Sequence, residues 1–205
     1  MIAVPHTAGV DLVLAVAMGV GLAAAVGLRV FLPMLVLSVG AYSGHVTLTS
    51  GLAWLGTPAA VVMLSVAAAV EVLAYYIPGV DNVLDVMAAP AALIAGVIVS
   101  AAVMVDLPPM VRWTTAVIAG GGAAGLTQGL TSLVRAKSTT LTAGLGNHVI
   151  ATGELGGALV VSLLAIAAPP AAVALVALFC WFAVRLLRRL LRKGRPAADS
   201  ARGNS

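Results

Sequence analysis

Charge is scarce in this chain. Only 9% of its 205 residues are Asp, Glu, Lys or Arg, and 61% are hydrophobic, where a soluble domain is about one quarter charged. The mean hydropathy is +1.12. These values exclude a soluble globular domain and point to an all-α integral membrane protein built from spans of roughly 20 apolar residues. Cysteine is nearly absent. With Cys180 alone, no intramolecular disulfide, CxxC motif or cysteine-based metal site is available. Within an apolar run it reads as small filler. No Lys or Arg precedes the first apolar stretch, and that stretch is too long for the short core of a cleavable signal. Asp11 to Ala25 are therefore expected in the mature protein.

Catalytic signatures are missing as well. The chain has no HExxH, no P-loop and no Ser-His-Asp set with a nucleophile elbow. Asp81 and Asp85 lack the second dense Asp cluster that a metal-dependent diphosphate transferase needs. Neither an enzyme nor a cofactor is expected. The net charge of +4 does not indicate nucleic acid, because Arg185, Arg188, Arg189, Arg192 and Lys193 hold most of the excess directly after an apolar run. That placement marks a cytoplasmic juxtamembrane cluster facing lipid headgroups.

The apolar residues fall into six regions, near 12–41, 52–76, 83–105, 111–134, 148–167 and 171–191. The division is one transmembrane domain over 1–192 and a basic tail over 193–205. The first region is too long for one span and too short for two with a loop. Gly27 and Pro33 bracket Arg29 in its middle, so a broken helix is expected there. Gly120 to Gly122 and Gly125 suit tight helix packing or a second break in the fourth region. Pro78-Gly79 makes a turn. Six spans put both termini on the basic, cytoplasmic side of an inner membrane. Arg135 and Lys137 fall inside on that count, Trp54 and Trp113 near the outer interface, and Trp181 nearer the inner one. Arg112 falls outside, against the count.

Two segments echo each other. Ala25-Val26-Gly27-Leu28 resembles Ala124-Gly125-Leu126, and Gly79-Val80-Asp81-Asn82 resembles Gly144-Leu145-Gly146-Asn147. Each second element leads to a span ending near a Pro-Pro pair. The pattern suggests an internal duplication of the kind found around transporter sites.

What stands out against so little charge is acid at membrane depth. Glu71, Asp81, Asp85 and Glu154 lie in or beside apolar runs, where an ionisable group marks a functional site by default. Asp81 and Asp85 are spaced to share a helical face. They suit a cation or proton site, or, for Asp81, a helix cap. Glu71 is either a protonatable carboxyl or the structural partner of Arg29. Arg29 has two further readings, snorkelling and binding an anionic headgroup. Asn147 reads as a cap of the fifth span and His148 as an interface residue. His6 and His45 read as loop residues.

The residues Gly27 to Pro33, then Glu71 ahead of Ile77-Pro78-Gly79-Val80-Asp81, then Asp85, resemble a bacterial membrane family, domain of unknown function 4126. The likeness runs from about Val13 to Leu191. Asn147 and Glu154 match an Asn opening a later acid-bearing span. Tyr75-Tyr76 departs from the pattern, which would have a polar pair there. The resemblance implies a multi-span inner-membrane protein without an assigned activity.

Two functional expectations follow. In the first, the protein moves a small solute or ion, a proton or divalent cation above all. The broken helices line a path, Glu71, Asp85 and Glu154 form its polar lining, and Arg29 is their partner. In the second, it is a non-transporting assembly or lipid-interaction protein whose charges form a structural network. The bilayer is its partner in both, and a homodimer fits either.

Overall fold

The computed structural model describes residues 6–77, 80–142 and 146–193. Among the described residues, eight α-helices make up the fold: α1 (His6–Val26), α2 (Phe31–Tyr42), α3 (Pro58–Ala74), α4 (Val80–Val103), α5 (Pro109–Thr115), α6 (Gly122–Thr142), α7 (Asn147–Ala167) and α8 (Pro169–Lys193). A 3₁₀ turn, Ser50–Gly56, precedes α3, and a π-helical segment, Ala116–Gly121, joins α5 to α6. No strand occurs among the described residues.

Among the described residues, three helices are long and apolar enough to cross a membrane: Val86–Val103, Pro109–Thr140 and Asn147–Ala167. A fourth is added if the 3₁₀ turn and α3, bent by 65°, count as one. Asp11–Val26, Phe31–Tyr42 and Pro169–Arg185 are shorter apolar helices. Among the described residues, length and composition by themselves support three or four crossings, where six are expected from the sequence. Such helices suggest a membrane-embedded protein.

Helix α1 is the hub. Leu22, Ala23, Ala25 and Val26 are wholly buried, and α4, α6, α7 and α8 all pack against it. A helix apolar on every side can be stable only when it is surrounded. Small residues bring the neighbours close. A Cβ on Gly96 would lie 2.5 Å from the Ala124 Cβ, and one on Gly120 at 2.5 Å from the Ser100 Cβ. Packing through small residues is the usual way helices associate where lipid supplies no hydrophobic drive.

The first apolar region is a splayed hairpin rather than one kinked span. Arg29, at its apex, reaches Ala151 near the start of α7. Gly40, late in α2, lies beside Ile166 near the end of α7. Gly21 of α1 also meets Ala165 and Ala172. Helix α1 is thus antiparallel to α7, and α2 runs parallel to it. The chain breaks at Gly27 because α6 presses there: a Cβ on Gly27 would meet the Thr127 Cβ at 2.7 Å and the Gln128 nitrogen at 3.0 Å. Pro33 falls in the first turn of α2, where a missing N–H leaves no intrahelical bond unmade.

The bundle therefore has two ends. Leu14, His45, Val46, Asp106 and Pro169 line one cavity at the Asp106 end. Arg29, Glu71, Arg135 and Glu154 gather at the other. Helices α1 and α8 both start at the Asp106 end, so the start of α1 and the finish of α8 lie at opposite ends. Trp54 and Trp113 are exposed toward the Asp106 end, with Trp181 exposed farther along α8.

The fourth region is not broken at Gly125. Backbone helix runs through it, and the irregularity lies upstream in the π segment. π-Turns widen a helix by one residue and gather at places of close packing or function. This one sits where Gly120 meets Gly96 and Ser100. In the echoed segments, α1 and α6 run the same way, as do α4 and α7. Gly79, Gly144 and Leu145 lie outside the described residues, as do Pro78 and the tail over 194–205.

Candidate functional site

Four helices and one break contribute to a buried ionic cluster at the Glu154 end. Its centre is Glu154, about two turns into α7 and 6% exposed. Arg135 of α6, 4% exposed, donates from Nε to Glu154 Oε1 at 3.0 Å, and from Nη2 to Oε2. The two bonds are parallel, the bidentate fork that makes Arg–carboxylate pairs strong. Arg29, from the apex between α1 and α2, adds Nη2 at 3.7 Å from Oε2. The same Nη2 donates to the Ala151 carbonyl at 3.0 Å. One turn of α7 thus holds Arg29 through both a carbonyl and a carboxylate.

Tyr75 is the platform beneath both cations. Its ring centroid is 3.7 Å from the Arg29 guanidinium carbon and 4.4 Å from that of Arg135. Two like charges brought together need compensation, and an electron-rich ring face provides some of it. Arg29 Nε and Nη1 are buried without a hydrogen-bond acceptor, as expected of a guanidinium lying flat on an aromatic ring.

Glu71 does a separate job. Its carboxylate accepts from Val30 N at 2.8 Å and Phe31 N at 3.0 Å. Those are the first free N–H groups of α2, which no residue of its own chain segment caps. A carboxylate from α3 thus satisfies orphan donors and meets the positive end of the α2 dipole. This corrects the Arg29–Glu71 pair: the arginine's ion pair is with Glu154, and Glu71 holds the backbone next to it.

Other expected residues fall elsewhere. Asn147 does not cap α7; Gly146 occupies that position. Asn147 donates from Nδ2 to Thr139 Oγ1 of α6 at 3.1 Å, tying α7 to α6 two turns from the Arg135–Glu154 pair. His148 is exposed and tilts against Tyr76, with centroids 6.0 Å apart. Tyr76 also bonds Thr152 at 2.9 Å. No group of three His, Cys, Asp or Glu that could hold a metal occurs among the described residues. Asp81 and Asp85 belong to α4, but their side chains lie outside the described ones, as do those of Arg192 and Lys193.

Arg29 is 2% exposed, so it neither snorkels nor reaches a headgroup. Arg135, expected at the inner edge as an orientation charge, is instead a core residue of the network. Tyr75, which departs from the family pattern, sits at its centre. An i, i+19 pairing across a turn leaves no spacing signal, so neither role was readable from sequence.

A cavity of about 380 Å³ adjoins the network, between α1, α6, α7 and α8. Leu28, Thr131, Gly153, Phe179 and Ala183 line it, and Glu154 is the one charged residue among the described ones that reaches it. Its walls are otherwise almost wholly apolar. Glu71 does not touch it, so the acids do not line a common path among the described residues.

The family model described as domain of unknown function (DUF4126) matches residues 16–189. No curated protein and no solved structure matches the chain.

Proposed function

Since the chain belongs to the DUF4126 family, whose description assigns no activity, we propose from its geometry that it is a lipid-interaction protein of the inner membrane. It holds the alkyl chain of a membrane amphiphile between α1, α6, α7 and α8. One observation carries this reading. The cavity has the 300–1,000 Å³ size of small-molecule sites and apolar walls, and its only charge is already committed to two arginines. Such a space rewards a hydrocarbon and offers an ion little. The network then serves as a fixed frame that ties α6, α7 and the α1–α2 apex together.

On this reading the shorter apolar helices α1, α2 and α8 cross as well as the longer ones, and the six apolar segments make seven traverses with the first a hairpin. The basic end of α8 is cytoplasmic by its charge, and the start of α1 lies across the membrane from it. An absence of Lys and Arg before residue 29 agrees with that side.

The test is saturable binding of a spin-labelled or fluorescent alkyl amphiphile to the purified protein in nanodiscs. A Cβ on Gly153 would meet nothing within 4 Å, so Gly153→Phe fills the cavity without clashing with its surroundings. Binding weakened about tenfold or more supports the reading. Binding unaffected by Gly153→Phe overturns it.

A transport reading has one observation in its favour. Arg29 sits in a helix break with two unused donors, and interrupted helices are where transporters place substrate. Solute or proton flux in proteoliposomes that disappears when Glu71, Asp85 and Glu154 are neutralised together would favour it. Unchanged flux would end it.

A further inference from the structure

Beyond the Arg29–Arg135 network, α8 carries a second concentration of positive charge, and it has a shape. Arg185, Arg188 and Arg189 are exposed on α8 and line a groove of about 620 Å³. Their i, i+3, i+4 spacing sets all three on one helical face. Leu126 and Leu130 of α6 form the opposite wall, with Trp181 and Cys180 beneath the arginines. The Arg185 guanidinium carbon lies 5.1 Å from the Trp181 ring centroid. A tryptophan whose ring meets a cation at one end of an apolar helix is how a bilayer interface is marked. None of the three arginines is in an ion pair with a described acid.

We infer that this groove is a binding site for one anionic phospholipid. The occupant follows from charge complementarity. Three guanidiniums at the mouth can grip one phosphate with bidentate donors, and would repel the ammonium of a zwitterionic headgroup. Below them, Leu126, Leu130 and Val184 offer a wall for an acyl chain. Basic pockets between membrane helices on the cytoplasmic side bind anionic headgroups on these terms. A groove differs from a diffuse cationic surface in that it holds a fixed number of lipids and can be filled. It shares α6 and α8 with the cavity beside Glu154 but none of the residues that line it, so the two sites fail independently.

The experiment is native mass spectrometry of the full chain released from nanodiscs of zwitterionic lipid doped with phosphatidylglycerol. The expected result is one phosphatidylglycerol retained per chain, with zwitterionic lipid lost. Arg188→Gln with Arg189→Gln should weaken retention at least tenfold. Leu126→Trp, which fills the groove and removes no charge, should do the same. Leu126 is 56% exposed, so that variant keeps the fold. Arg195→Gln with Arg202→Gln removes two charges from the tail and should leave retention within about twofold. Equal losses from the tail and groove variants, or an indifferent Leu126→Trp, would overturn the site in favour of diffuse attraction. Gly153→Phe should not alter retention of phosphatidylglycerol, whatever it does to the alkyl amphiphile.

Discussion

Arg135 and Glu154 meet through two guanidinium nitrogens, Nε and Nη2, and both carboxylate oxygens, although they stand on different helices, α6 and α7. They clamp α6 to α7 inside the bundle, and Arg29 closes the clamp onto the α1–α2 apex. Removing one partner of such a buried pair leaves the other charged and unsolvated, at a cost of about 3–5 kcal/mol. Glu154→Gln and Arg135→Met should each lower the melting temperature in detergent sharply. Replacing both with apolar residues of similar volume, Arg135→Met with Glu154→Leu, should cost less than the sum of the two, because only Arg29 then loses its carboxylate and Arg135 is no longer there to be stranded. Strict additivity would show that the pair is not coupled.

Glu71 answers to a different measurement. As an acceptor for Val30 N and Phe31 N, it needs two oxygens on one side chain. Glu71→Gln keeps the length and loses one acceptor, leaving a buried N–H opposite an NH₂ group. The expected loss is about 1–3 kcal/mol. Hydrogen exchange should show faster opening at the start of α2 than at the Arg135–Glu154 pair. Uniform acceleration of exchange across the bundle would argue against a local capping role.

Tyr75 shows where the sequence was readable and where it was not. The membrane class, the apolar regions and the break at Gly27 follow from composition and from helix chemistry at short range. So does the suspicion that falls on Arg29, Glu71 and Glu154, since a charge in an apolar run is visible without a structure. Which charge meets which is a matter of tertiary distance. Arg29 and Glu154 are 125 positions apart, and Glu71 is 40 and 41 from the two backbone nitrogens it caps. Tyr75 carries no charge, so its departure from a polar pattern looked like a gap in the network rather than its floor. Tyr75→Leu removes the ring face under two guanidiniums and should cost about 1–2 kcal/mol. Tyr75→Phe keeps that face and should retain more of the stability. Equal effects of the two changes would show that the ring does not stabilise the cations.

Close packing makes a sharper contrast among glycines. Gly27 faces α6 with no room for a side chain, its Cβ position 2.7 Å from the Thr127 Cβ and 3.0 Å from the backbone nitrogen of Gln128. Gly27→Val must push α6 away or shift the apex that carries Arg29. Gly122 and Gly129, on the same rod, have nothing within 4 Å of a built Cβ. Alanine at either should be neutral or slightly stabilising, since it also favours helix. Folded yield by fluorescence-detected gel filtration should fall severely for Gly27→Val and stay near wild type for Gly122→Ala and Gly129→Ala.

Chain direction provides the last prediction. Six crossings would return the N-terminus to the side of the basic cluster. The hairpin adds a reversal, because Arg29 meets the start of α7 while Gly40 meets its end. Helix α1 then begins at the Asp106 end, where α8 also begins, and α8 finishes at the other. Cys180 is the only cysteine, so Cys180→Ala gives a clean background for single-cysteine labelling. An impermeant maleimide applied outside intact cells should label Ser43→Cys and Asp106→Cys. It should reach Lys137→Cys only after the membrane is opened. An N-terminal reporter should be active on the same side as Ser43, and a C-terminal one on the side of Lys137. Finding both reporters on one side would restore an even number of crossings. The α1–α2 pair would then cross as a single bent span, and the reading of it as two crossings would fall.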